Sequence, residues 1–178
     1  VINIITREPD DPWNLNLNSR FSEHNDHRYG GTVGFNAGKF NSLTNVQYNN
    51  VDTYGVDNPG DFSTVFGSRV WNFKERLIYH PLETLKLTAR AVYYFRERNK
   101  PVYTLYSYRD FNGVLKANYT FNTLSNLEVG YTFDQYDKSD YQVLYKNDVR
   151  DYSNVQHNVH ALYNYTFNEK HTLTVGAD

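Results

Sequence analysis

The sequence predicts an all-β fold: a transmembrane antiparallel up-and-down β-barrel, represented here by about nine strands of a larger one. Three observations predict it. Apolar and polar residues alternate with period two along most of the chain, the mark of strands with one face in apolar surroundings. The alternating segments run about ten to thirteen residues; globular strands average about 5–6, and a membrane-crossing strand needs about 9–11. Their connections alternate between short turns and longer loops, as in outer-membrane barrels.

Composition agrees. Net charge is −2 and mean hydropathy is −0.73. No apolar run approaches the roughly 18 residues of a spanning helix. Low hydropathy does not exclude a barrel, because lumen-facing residues dilute the lipid-facing ones. The 17 Tyr and 11 Phe favour pleated strands, and the many Asn favour turns and wet surfaces. Absence of Cys excludes disulfides and thiolate metal sites. No Gly-rich phosphate loop, nucleophile elbow or zinc motif is present, so neither an enzyme nor a nucleic-acid partner is expected.

Element by element, Trp13, Leu15, Leu17 and Phe21 share one parity, against Asn14, Asn16, Asn18 and Arg20. Tyr29, Gly31, Val33, Phe35 and Ala37 form the next apolar face. The segment from Leu43 to Tyr54 is weaker, resting on Val46 and Tyr48. Trp71, Phe73, Leu77 and Tyr79 alternate with Asn72, Lys74 and Arg76. Leu85 to Phe95, Phe111 to Phe121, Leu127 to Phe133 and Val155 to Phe167 follow, the last broken by His157. A final strand begins at Thr172. Short turns are expected at Phe40–Ser42, Pro81–Thr84, Asn122–Asn126 and Asn168–Lys170. Loops are expected at Glu23–Asp26, Gly55–Phe66, Glu97–Tyr108 and Lys138–Asp151. A chain that opens at Val1 and stops at Asp178, both inside strand-like segments, reads as a piece of something longer.

The opening residues Val1-Ile2-Asn3-Ile4-Ile5-Thr6-Arg7 resemble the end of the plug domain in TonB-dependent outer-membrane receptors. The resemblance covers the chain as an architecture and these seven residues as a motif. It implies that residues 1–8 are the last plug strand and linker, and that 9–178 begin a larger barrel wrapped around the plug. It further implies location in a Gram-negative outer membrane, and active import of a scarce nutrient. Asn3 followed by Ile4-Ile5-Thr6 is similar to the siderophore, haem and cobalamin branch. The implied partners are the TonB complex, reached through a segment upstream of this chain, outer-membrane lipid, a surface lipoprotein and a small-molecule ligand. A passive porin and a soluble glycan-binding β-sandwich are the rival readings.

Four groups of residues carry candidate chemistry. His24 and His27, in the first loop, are of a type that ligates haem iron or another metal, or they are solvated loop residues. Arg96, Arg98 and Arg109, interleaved with Tyr103, Tyr106 and Tyr108, suit an anionic aromatic ligand, and equally a girdle with solvated charge. Asp52, Asp57 and Asp61 flank a loop that calcium would order, with a solvated loop as the alternative. Asp134, Asp137 and Asp140 repeat that pattern. His157 and His160 differ in parity and are expected on opposite faces.

Overall fold

The computed structural model describes residues 11–58, 61–100, 104–167 and 171–178; the plug-like heptapeptide lies outside them. The strands are β1 (Trp13–Ser22), β2 (Asp26–Ala37), β3 (Phe40–Val51), β4 (Tyr54–Asn58), β5 (Asp61–Val65) and β6 (Ser68–Leu82), then β7 (Leu85–Lys100), β8 (Thr104–Asn122), β9 (Ser125–Gln142), β10 (Asn147–Phe167) and β11 (His171–Ala177). Nine form one antiparallel sheet in the order β1-β2-β3-β6-β7-β8-β9-β10-β11, and β4 and β5 form a separate ribbon. The nine-stranded sheet is open, with β1 and β11 at its edges.

The register puts the alternating residues into continuous rows. One row runs Tyr29, Tyr48, Trp71 and Phe95; another runs Leu77, Ala89, Leu115, Tyr131 and Val159. One face of the sheet is therefore apolar across every strand, and the other carries Asn, Thr, Lys, Arg and Asp. Among the described residues the only buried hydrophobic side chain is Ile78, while Leu17, Trp71, Leu115, Phe121, Val159 and Val175 are exposed. Among the described residues the sheet is a single layer without a core of its own.

Along β6 the polar face is the more crowded. On β6, Trp71, Phe73 and Tyr79 stand exposed, whereas Ser68, Val70, Asn72, Arg76 and Ile78 are half-buried or buried. Glycines on the polar face make room for a neighbour's side chain to lie across the strand. A Cβ on Gly34 would meet Asn14 at 2.6 Å, and one on Gly130 would meet His160 at 2.2 Å. Cross-strand hydrogen bonds fill the same face: Asn45 donates to Thr32 at 2.7 Å and Asn164 to Asn126 at 2.9 Å.

Successive hairpins reach progressively further at the turn end. β6 runs on to Leu82 past Tyr79, the partner of the first residue of β3. β8 runs on to Asn122 past Tyr119, the partner of the first residue of β7. β10 runs on to Phe167 past Tyr165, the partner of the first residue of β9. The offset is about one residue per strand, or about 3.4 Å along for each 4.8 Å across, which corresponds to a tilt of about 35°.

The structure corrects several boundaries. The first short turn is at Gly38 and Lys39, not Phe40–Ser42. Gly38 takes φ +66°, and its N–H donates to Asn36 Oδ1 at 2.9 Å. Pro81 lies within β6, at a register irregularity between Tyr79 and Leu82. The Gly55–Phe66 loop contains the β4–β5 ribbon. The loops expected at Glu97–Tyr108 and Lys138–Asp151 are largely strand: β7 extends to Lys100, β8 starts at Thr104, β9 reaches Gln142 and β10 starts at Asn147. Both faces are polar there, so alternation gives no signal. The turn expected at Asn168–Lys170 lies outside the described residues.

Candidate functional site

Loopward of Phe111 and Phe133 the sheet continues as a wall with two polar faces. On the side continuous with the polar face its rows are Tyr94, Asp110, Tyr136 and Asn154; then Arg96, Tyr108, Lys138 and Tyr152; then Arg98, Tyr106 and Asp140. Tyrosine and charged or amide side chains thus alternate along each row, from strand to strand. The Tyr106 and Tyr108 rings lie 6.2 Å apart and those of Tyr136 and Tyr152 6.0 Å apart. Lys138 Nζ sits 5.1 Å from the Tyr106 ring centre and 3.2 Å from Asp151 Oδ2. The hydrogen bond to Asp151 holds the Lys138 ammonium above its ordinary pKa. Burial, then the neighbouring Tyr108, pushes the Tyr136 phenol up. The lattice presents phenol hydroxyls, ring faces and charges of both signs on this side.

This lattice brings together Arg96, Arg98, Tyr106 and Tyr108 from the sequence-derived set. It separates Arg109, which points to the other face, where Nη1 meets Asp148 Oδ2 at 3.2 Å and the guanidinium lies 5.7 Å from the Phe95 ring centre. Tyr103 lies outside the described residues. Tyr94, Tyr136, Lys138 and Tyr152 escaped the sequence reading. Their parity was visible, but their adjacency depends on register between strands.

His24 and His27 have different surroundings. His24 occupies the β1–β2 turn with φ +58° and stacks on Tyr54, with ring centres 3.8 Å apart and planes 6° apart. His27 lies on β2, on the face of Phe21, at 5.3 Å between ring centres. Asp52 ties the tip of this hairpin to the end of β3: its N–H donates to His24 O at 3.0 Å, and its carboxylate accepts from Asn25 Nδ2 at 3.0 Å. Asp57 and Asp61 lie in the β4–β5 ribbon, and their side chains fall outside the described set. Asp134 and Asp140 share the polar face, while Asp137 is on the other. On that other face hydrogen bonds from Ser153 and Gln135, with Arg150 and Arg109 nearby, hold the Asp137 carboxyl below its ordinary value. Among the described residues no group of three His, Asp or Glu side chains is placed to hold a metal. Beneath the ribbon, a hollow of about 370 Å³ is lined by Asp26, Arg28, Asn49, Tyr54, Val65 and Ser68.

His157 and His160 fall on opposite faces, as their parity requires. His157 bonds Tyr131 OH at 2.8 Å on the apolar side, and His160 lies 3.4 Å from Glu128 on the polar side.

Comparison with family models, curated proteins and solved structures found no match to this chain.

Proposed function

We propose that this chain forms part of the wall of an outer-membrane β-barrel, and that the barrel is a TonB-dependent importer. In this reading the apolar face meets lipid and the crowded polar face lines the lumen. The tyrosine–charge lattice and the hollow beneath the ribbon stand at the extracellular mouth, where they receive a scarce small-molecule ligand such as a ferric siderophore, haem or cobalamin.

The observation that carries the membrane reading is the apolar band and its slant. On β8 the band runs from Phe111 to Phe121. Ten residues at about 3.4 Å, tilted by about 35–45°, span roughly 24–28 Å of height, against about 25 Å for the apolar belt of outer-membrane barrels. Aromatic residues border it on both sides: Tyr48 and Trp71 in contact at 4.5 Å on the loop side, Tyr119 and Phe121 at 4.9 Å on the turn side. The loop-side border also slants. Phe111 pairs with Tyr93, two residues in from Phe95, and Phe133 pairs with Gly113, two in from Phe111. Barrel closure requires a tilt of this kind. A soluble glycan-binding sandwich would bury this face against a second sheet of comparable size; among the described residues the other sheet is the two-stranded β4–β5 ribbon. The resemblance of Val1–Arg7 to a plug terminus favours an importer over a passive porin, which has no such segment.

The test is uptake of haem, cobalamin and ferric siderophores by cells expressing the complete reading frame, with and without a functional TonB system. Uptake of one ligand that disappears without TonB is expected. Uptake indifferent to TonB would point to a porin, and recovery of the protein in the aqueous fraction would overturn the membrane reading.

A further inference from the structure

The apolar face contains a polar notch. Glu75 lies on β6 between Phe73 and Leu77, and its carboxylate accepts hydrogen bonds from Ser42 Oγ at 2.8 Å and Thr44 Oγ1 at 2.5 Å. Among the described residues between the aromatic borders of this face, it is the only carboxylate. A carboxylate offers about four acceptor sites, and the two hydroxyls occupy two of them. No described cation pairs with it; Lys74 and Arg76 belong to the opposite face.

The surface beside the notch is recessed. Ala89, Ala91 and Gly113 leave room between Leu77 and Phe111, and two depressions of about 660 and 370 Å³ share Leu77, Ala89, Leu115 and Tyr131. Glu75 lines the smaller of the two. Small residues that permit close backbone approach, beside a polar group that rewards it, are how polypeptide segments pack within a bilayer.

Depth selects the occupant. Glu75 is four residues from Trp71 and four from Tyr79. At about 3.4 Å per residue and a tilt of about 35°, that is roughly 11 Å from either border. Lipid headgroups stay at the borders, and acyl chains offer no hydrogen-bond donor. A second copy of this chain meeting this face notch to notch would set one Glu75 carboxyl against another. An ionisable group at this depth is costly unless a partner compensates it. We infer that the recess beside Glu75 docks an apolar, membrane-embedded segment of a different polypeptide, which brings a cationic or hydroxyl-bearing side chain to the Glu75 carboxylate. The inference rests on the membrane reading above.

The test places the photo-crosslinker p-benzoylphenylalanine at Phe73, and separately at Leu173, in the complete protein in its native membrane. Irradiation at Phe73 should give a protein adduct whose crosslinked peptide is apolar and contains Lys, Arg, His, Ser or Thr. Glu75→Leu, which removes the carboxylate, and Ala91→Trp, which fills the recess, should each lower that adduct at least tenfold, with SDS-resistant mobility showing that the variants fold. Leu173 should give lipid adducts. Lipid adducts alone at Phe73, a self-adduct, or an adduct insensitive to both variants would overturn the inference and leave the membrane reading standing. Absence of lipid adducts at both positions would overturn the membrane reading itself.

Discussion

At the scale of single residues, side chains that are missing matter as much as those present. Gly67 lies where the ribbon leaves the sheet, and a Cβ there would stand 2.8 Å from both Thr53 N and Val51 O. Those are backbone atoms and cannot swing aside. Gly67 N–H donates to Thr53 Oγ1 at 2.9 Å, and Asn99 N–H donates to Gly67 O at 2.8 Å, so the crossing is also hydrogen-bonded. Gly67→Ala should therefore destabilise the protein by about 1–3 kcal/mol, as overpacking does; urea unfolding in detergent micelles would measure it. Nothing in the sequence around Gly67 announces this crossing, because the clash is with residues 14 and 16 positions earlier. Glu75 was overlooked for the opposite reason. It stands at an apolar position in a strand whose other members fit the alternation, so the pattern hides it. Asn36 before Gly38, and Asn122, whose Oδ1 accepts the Leu124 N–H at 2.9 Å, are side chain-to-backbone turns that local sequence does signal.

At the scale of elements, the strands with one apolar face were legible and the others were not. Alternation identifies a strand only where its two faces meet different surroundings. It is clear from Leu85 to Phe95 and absent beyond Glu97, although β7 continues to Lys100. The ribbon was hidden because β4 and β5 are five residues each, with Gly55 and Pro59 nearby. The ribbon interrupts nothing: β3 pairs directly with β6 from Phe40↔Tyr79 to Val51↔Ser68. Replacing residues 54–65 with a Gly-Asn turn should therefore shift the thermal midpoint by only a few degrees, consistent with a separable surface element. The same change should lower ligand uptake, because it removes Tyr54 and Val65 from the hollow. Differential scanning calorimetry and uptake assays would separate the two effects.

At the scale of the molecule, the sheet divides into one apolar and one polar face. Leu115 lies near the middle of the apolar band on β8, and Asn112 lies on the polar face of the same strand. Leu115→Lys should cost about 2–4 kcal/mol in a bilayer refolding equilibrium, as a charge near the midplane of a barrel wall does. Asn112→Lys should cost under about 1 kcal/mol, and equal costs would mean that the apolar face does not contact lipid. Period-two sequence alone predicted this division of faces. It did not predict the slant of the band, because slant depends on where each turn falls relative to the last: the turn expected at Phe40–Ser42 lies at Gly38 and Lys39, and the one expected at Pro81–Thr84 is confined to its last two residues.

The stepwise lengthening of the hairpins makes the sheet a screw thread. A path that follows hydrogen bonds from β3 to β10 stays in one row but moves steadily relative to the slanted band. Strands pulled past one another along the normal to that band would load whole ladders in shear, where many bonds must yield together, instead of unzipping them from one end. Mechanical toughness would then reside in turn positions such as Gly38 and Leu124, which set the lead of the thread while contributing little contact of their own.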